Sequence, residues 1–216
     1  MHKKILLICL TFLLVGCTKI NNTKDYITLV NNCLKDKKMT NEVSLGYKYY
    51  IPKGARKIHD YDYNQVFLVG ENTIYLYVDI ISYFHKKEIN YEKTNNAIYY
   101  HEIKHNNKQG YVEISKEEEK YFLKIVYHYS KIEVYTNEKD LNKMITISSI
   151  ILNSIDYNEK LIERVLEGDF GEFAEINYEV KKPTDASNSF SQYLEEYAEK
   201  DEKAEKDKKE EQLPDE

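Results

Sequence analysis

The feature that most constrains this chain is a change of period. From Gln65 to Tyr135 apolar and polar residues alternate in segments rich in Tyr, Ile and Val and free of proline. Alternation puts one side chain in two on the same face, the signature of half-buried strands. From Leu141 to Ile155 the apolar residues instead recur every three or four positions, the spacing of a helix face. A chain that alternates first and turns helical later predicts antiparallel strands packed by helices.

The segment boundaries follow from punctuation. Asp25 is placed to cap a helix over about 26–36, with Tyr26, Val30, Cys33 and Leu34 on its apolar face. Leu45, Tyr47, Tyr49 and Ile51 alternate with polar neighbours, and Pro52-Lys53-Gly54 turns the chain. Gln65 to Val69 and Thr73 to Tyr83 flank Gly70-Glu71-Asn72 as a hairpin. Strands over 97–104 and 110–115 flank Asn106 to Gln109, and one long strand, bent near Ser130, is expected from Lys120 to Tyr135. Asn137 with Asp140 three residues on resembles a capping box for a helix whose stripe is Leu141, Met144, Ile145, Ser148, Ile151, Leu152 and Ile155. Ile147 and Ile150 widen that stripe, so the helix is expected to touch the sheet and one further element. Asn158 opens and Gly168 closes another helix, and Phe170 to Val180 reads as a last strand or packing arm.

The predicted class is α+β: an antiparallel sheet of five to six strands, packed by an N-terminal helix and two C-terminal helices, with a charged C-terminal tail. The order of elements resembles that of small PsbP-like α/β sandwiches, which also occur in secreted and lipid-anchored proteins.

Residues 1–17 read MHKKILLICLTFLLVGC. A basic start and an apolar run from Ile5 to Val15, too short to cross a bilayer comfortably, fit a signal peptide. Leu14-Val15-Gly16-Cys17 resembles the lipobox of bacterial lipoproteins. The resemblance implies that residues 1–16 are removed, that Cys17 carries lipid, and that the protein sits on the outer face of the cytoplasmic membrane. The expected division is a signal peptide (1–16), a lipidated cysteine and tether (17–24), one α+β domain (25–182) and an acidic tail (183–216). The tether, at most about 25 Å long, holds the domain near the membrane. Cys9 leaves with the signal and Cys17 is consumed, so Cys33 is left alone and no internal disulfide forms.

Net charge is −6. Pro183 to Glu216 holds twelve acidic and five basic residues, a net of −7, so the remainder is near +1. A nearly neutral body lacks the basic footprint of a nucleic-acid binder. Lysine outnumbers arginine 29 to 2, a bias shared with AT-rich bacterial genomes, which also explains many of the 21 tyrosines. Tyr-rich strands offer stacking faces for glycans or peptides.

His101-Glu102-Ile103-Lys104-His105 spells the core of zinc peptidases, in which two histidines one helical turn apart hold the ion and the glutamate is the base. Glu113 or Glu117 to Glu119 would supply a third ligand. Ile98-Tyr99-Tyr100 before the motif and Asn106-Asn107 after it favour a strand, with His101 and His105 on one face and Glu102 on the other. There is no GxSxG, SxxK, P-loop or GxGxxG, and Asp60, Asp62 and Asp79 are isolated carboxylates. No metal or other cofactor is expected. The leading expectation is a non-catalytic binding or accessory module, anchored to the membrane by lipid, with an envelope protein or glycan as partner. The alternatives are a zinc peptidase using Glu102 with His101 and His105, and a surface lipoprotein that touches a host.

The lipobox reading predicts that Cys17→Ser abolishes acylation. Mass spectrometry should then find no lipid at residue 17, and fractionation should find tight membrane retention lost. Unchanged retention, with unmodified Cys17 in the native protein, would contradict it.

Overall fold

The computed structural model describes residues 25–88 and 91–168. The expected signal, tether, Phe170 to Val180 arm and acidic tail lie outside the described residues. Helix α1 (Tyr26–Leu34) begins at Asp25, whose carboxylate accepts the Thr28 N–H at 3.2 Å as expected. A small antiparallel sheet combines β1 (Glu42–Ser44), β2 (Tyr47–Tyr49) and β10 (Asp156–Tyr157) in the order β1-β2-β10. The main sheet comprises β3 (Arg56–Tyr61), β4 (Asn64–Val69), β5 (Asn72–Val78), β6 (Ala97–His105), β7 (Lys108–Glu117), β8 (Lys120–Tyr127) and β9 (Ser130–Thr136). Its order is β3-β4-β5-β9-β8-β7-β6, antiparallel throughout. Helix α2 (Ile80–Phe84) follows β5, α3 (Glu138–Ser154) follows β9, and α4 (Glu159–Glu167) follows β10.

The α+β class holds, but the strand count does not: the main sheet has seven strands and the small one three. One expected strand is two, and β1, β3 and β10 are additional. The expected strand over Lys120 to Tyr135 is two strands, β8 and β9, joined by His128-Tyr129. Both residues have positive φ, 48° and 63°, the pattern of a type I′ turn, which normally calls for Asn or Gly. The strand expected to reach Tyr83 stops at Val78. Asp79 then caps α2, its carboxylate accepting the Ser82 N–H at 2.8 Å. The Gly70-Glu71 hairpin and the Pro52 turn appear as expected, whereas β3 was not anticipated.

One face of the sheet carries the core. Ile74 and Leu76 of β5, Val112 and Ile114 of β7, Leu123 and Ile125 of β8, and Ile132 and Val134 of β9 are buried there. Helix α3 lies across β8 and β9 with its whole predicted stripe buried. Its second contact is α1, and Asn153 of α3 donates to the Cys33 and Leu34 carbonyls at 3.2 and 3.1 Å, satisfying the end of that helix. The expected Asn137 cap is not made; Asn137 Oδ1 instead accepts from Lys120 Nζ at 2.8 Å. Asn158 caps α4 as expected, accepting the Leu161 N–H at 3.1 Å. Helix α4 packs on α2 and on the β1–β2 turn, where a Cβ at Gly46 (φ 92°) would lie 2.7 Å from Ile162 Cγ1. The two C-terminal helices therefore pack on different elements.

Ile151 is fully buried between α3 and its neighbours. Ile151→Ala is expected to lower unfolding free energy by about 2–5 kcal/mol, transfer and cavity contributions together. A loss below about 1 kcal/mol in denaturant titration would show that α3 is not the keystone of the core.

Candidate functional site

The His101 motif lies wholly within β6. Four residues of strand separate the two histidines by about 13 Å, so they do not meet at one ion. The pairing places His101 opposite Val112, on the core side of the sheet, and Glu102 opposite Tyr111, on the other. Glu102 is engaged with Lys104 at 2.9 Å, His101 Nδ1 lies 2.8 Å from the Glu102 carbonyl, and His105 Nε2 lies 2.9 Å from Asn106 Nδ2. Glu113 also sits on the face away from the histidines, buried, accepting from the Thr94 N–H and hydroxyl at 2.9 Å each. The structure thus does not bring these residues together, and no group of three metal-ligating side chains occurs among the described residues. Asp79 caps α2, and Asp60 is held by Lys57 and by Gln65 Nε2 at 3.1 Å. Cys33 is half-buried, and burial pushes its thiol pKa up.

A cleft of about 200 Å³ opens instead at the end of the sheet where the β6–β7 and β8–β9 turns face α2. Tyr83 and Lys86 line it from α2 and its C-terminus, and Asn107, Lys108 and Gln109 from the β6–β7 hairpin. His128 and Tyr129 form the opposite lip, and Tyr91 closes one side. Four of the seven non-glycine residues with positive φ among the described residues are lining residues: Lys86, Asn107, His128 and Tyr129. Asn and His are the residues most often found there after glycine; Tyr and Lys rarely enter it, at a cost of about 1–2 kcal/mol each. Lys86 occupies the left-handed position that usually belongs to glycine at a helix end.

The turns are held by specific bonds. The His128 N–H donates to the Gln109 carbonyl at 3.0 Å, and the Asp79 N–H donates to the Tyr129 carbonyl at 2.9 Å. From β10 the Tyr157 hydroxyl donates to the His128 carbonyl at 2.9 Å, and its ring stacks on Tyr83 with centroids 3.7 Å apart. Tyr83 meets both Tyr129 and His128 edge to face, at 5.8 and 5.7 Å. Tyr91 packs on Tyr111 at 5.0 Å and donates its hydroxyl to the Gln109 carbonyl at 3.3 Å. After Gln109, a Cβ at Gly110 would stand 2.0 Å from the Val126 carbonyl oxygen, so the two hairpins approach as closely as backbone permits.

The electrostatics are cationic. Lys86 pairs with Glu159 at 2.9 Å and sits 4.1 Å over the Tyr83 ring, and Lys37 pairs with Asp156 at 3.1 Å. Lys108 is half-buried and has no carboxylate within ion-pair distance among the described residues. Burial, then the neighbouring Lys37, pushes its pKa down, against the smaller opposing pull of Asp156. Burial, then Lys108, Lys86 and Lys37, holds the His128 pKa at about 4. His128 is therefore neutral at physiological pH, surrounded by charge that repels its proton.

None of the cleft residues was singled out from the sequence. One signal was present. Leu123, Ile125 and Tyr127 are the inward residues before the turn, and Ser130, Ile132 and Val134 after it. The inward positions switch from odd to even numbers across His128-Tyr129, which a continuous strand does not do. Compared with protein-family models and with curated protein sequences, the chain finds no match.

His128 gives a pH prediction. Its folded pKa lies below the usual 6.5, so the unfolded chain binds the extra proton first. The stability tied to its neutral form is present at pH 7 and is lost as pH falls from about 6.5 to about 4. His128→Gln should flatten the stability–pH curve in that window relative to wild type, as read by thermal unfolding. Parallel curves would contradict the assignment.

Proposed function

We propose that this chain is a lipid-anchored, non-catalytic binding module on the outer face of a bacterial cytoplasmic membrane, and that the cleft between its two hairpin turns takes an envelope glycan. The lipobox at Cys17 supports the location. The observation that carries the binding reading is the concentration of left-handed, non-glycine backbone at the cleft: Lys86, Asn107, His128 and Tyr129. Backbone strain persists where the surrounding fold over-determines it, and it gathers at sites of function. Here it presents aromatic rings and amides together, the combination that suits sugar rings. A cleft of about 200 Å³ accommodates one ring or one terminal group rather than an extended chain.

The test uses the full lipidated chain in detergent, immobilised and challenged with polysaccharide isolated from the producing envelope. Wild type is expected to retain the polymer. Tyr129→Ala, with its fold checked by circular dichroism, is expected to weaken retention at least tenfold. No retention by wild type, or equal retention by both, would overturn the proposal.

A further inference from the structure

Among the described residues, Lys108 in the cleft has no carboxylate at ion-pair distance, and Asp156, paired with Lys37, favours its charge only from farther off. Lys37 has Asp156, and Lys86 has Glu159. Lys108, at the start of β7, is half-buried beside them without such a partner among the described residues. Its nearest aromatic contact is distant, with Nζ 6.0 Å from the Tyr127 ring centroid. Withdrawing an ammonium from water without a close counter-ion is costly, and the two hairpins fix Lys108 there through the His105–Lys108 pair and the closely approached Gly110. Beside it stand the Asn107 and Gln109 amides and the His128 ring, so an oxygen ligand entering the cleft meets donors as well as charge.

We propose that Lys108 is the contact for an oxyanion, a carboxylate or phosphate borne by the ligand, and that the cleft therefore selects acidic over neutral sugars. This rests on the cleft being the binding site. Charged or titratable groups from every neighbouring element face His128: Lys37 after α1, Asp79, Tyr83 and Lys86 around α2, Lys108 from β7, Tyr127 and Tyr129 from its own hairpin, and Asp156, Tyr157 and Glu159 from β10 and α4. Lys37 and Lys86 are paired with Asp156 and Glu159, Lys108 has no carboxylate at ion-pair distance among the described residues, and a bound oxyanion offsets the positive field these lysines exert on His128. Binding then favours the protonated imidazole, so a carboxylate ligand, ionised throughout, binds more tightly as pH falls from 7 towards 5.

The experiment titrates the full chain in detergent with three probes, glucuronate, inorganic phosphate and glucose, following Tyr, His and Lys side-chain NMR signals. Glucuronate or phosphate should shift the His128 ring signals and bind at least tenfold more tightly than glucose. Lys108→Met, which keeps the apolar stem, should remove that preference; one charge-assisted hydrogen bond corresponds to about tenfold or more. Glucuronate affinity should rise on acidification in wild type and not in His128→Gln. Phosphate binding without glucuronate binding assigns the oxyanion to a phosphate; the opposite result assigns it to a carboxylate. Glucose binding as tightly as both, with Lys108→Met silent, overturns the oxyanion and leaves the cleft as a neutral-sugar site. No probe perturbing Tyr129 or His128 overturns both readings.

Discussion

The contact on which the rest of this structure depends is the burial of α3 against β8 and β9. The helix covers Leu123, Ile125, Ile132 and Val134 with a buried stripe of Leu, Met and Ile. It also organises what lies beyond it. Asn153 finishes α1, and the Ser154 hydroxyl accepts the Tyr50 N–H at 2.8 Å, tying the chain after β2 to α3. The chain leaving α3 enters β10 at Asp156 and α4 at Glu159. Those few residues deliver Tyr157 beneath the His128 carbonyl, Asp156 to Lys37 and Glu159 to Lys86. The cleft is thus a consequence of where one buried helix ends.

Two turns of the same length sit side by side there, with different chemistry. Asn106-Asn107 occupies left-handed backbone with residues that accept it. His128-Tyr129 puts there a tyrosine, which resists it, where a type I′ turn favours glycine. Local preference and global fold conflict at one turn and agree at the other, and such conflicts mark places held for a reason other than stability. The ladder pairs on both sides of His128-Tyr129, the Gln109 and Asp79 bonds, and Tyr157 together hold the turn in place.

What was legible in the sequence was whatever rested on period or on side-chain caps. The α3 stripe, the Asp25 and Asn158 caps, the β6 and β7 strands and the helix-then-sheet-then-helix order all depend on local patterns that tertiary packing reinforces. The strand reading of His101 to His105 rested on Tyr and Ile before it and Asn after it, and the ladder to β7 agrees. The turn at His128 was hidden because its residues are strand formers, and only the odd-to-even switch of inward positions betrayed it. The α2 helix was hidden because Ile80, Ile81 and Tyr83 continue the composition of β5, while Asp79 alone signals the cap. Asn137 shows the reverse error: its spacing suggests a cap, yet a lysine from β8 takes its oxygen. The cleft was illegible because it assembles residues from four separate segments, which single-chain spacing cannot juxtapose.

The central claim is that His128-Tyr129 is kept for the cleft and not for the fold. Replacing the pair with Asn-Gly, the favoured type I′ turn, tests it directly. Relief of left-handed strain, about 1–2 kcal/mol per residue, opposes the loss of ring contacts to Tyr83 and Tyr157, about 0.5–1.5 kcal/mol per pair. Chemical denaturation should therefore find stability within about 2 kcal/mol of wild type, while retention of envelope polysaccharide disappears. A variant that binds as wild type does, or one that is severely destabilised, would contradict the account.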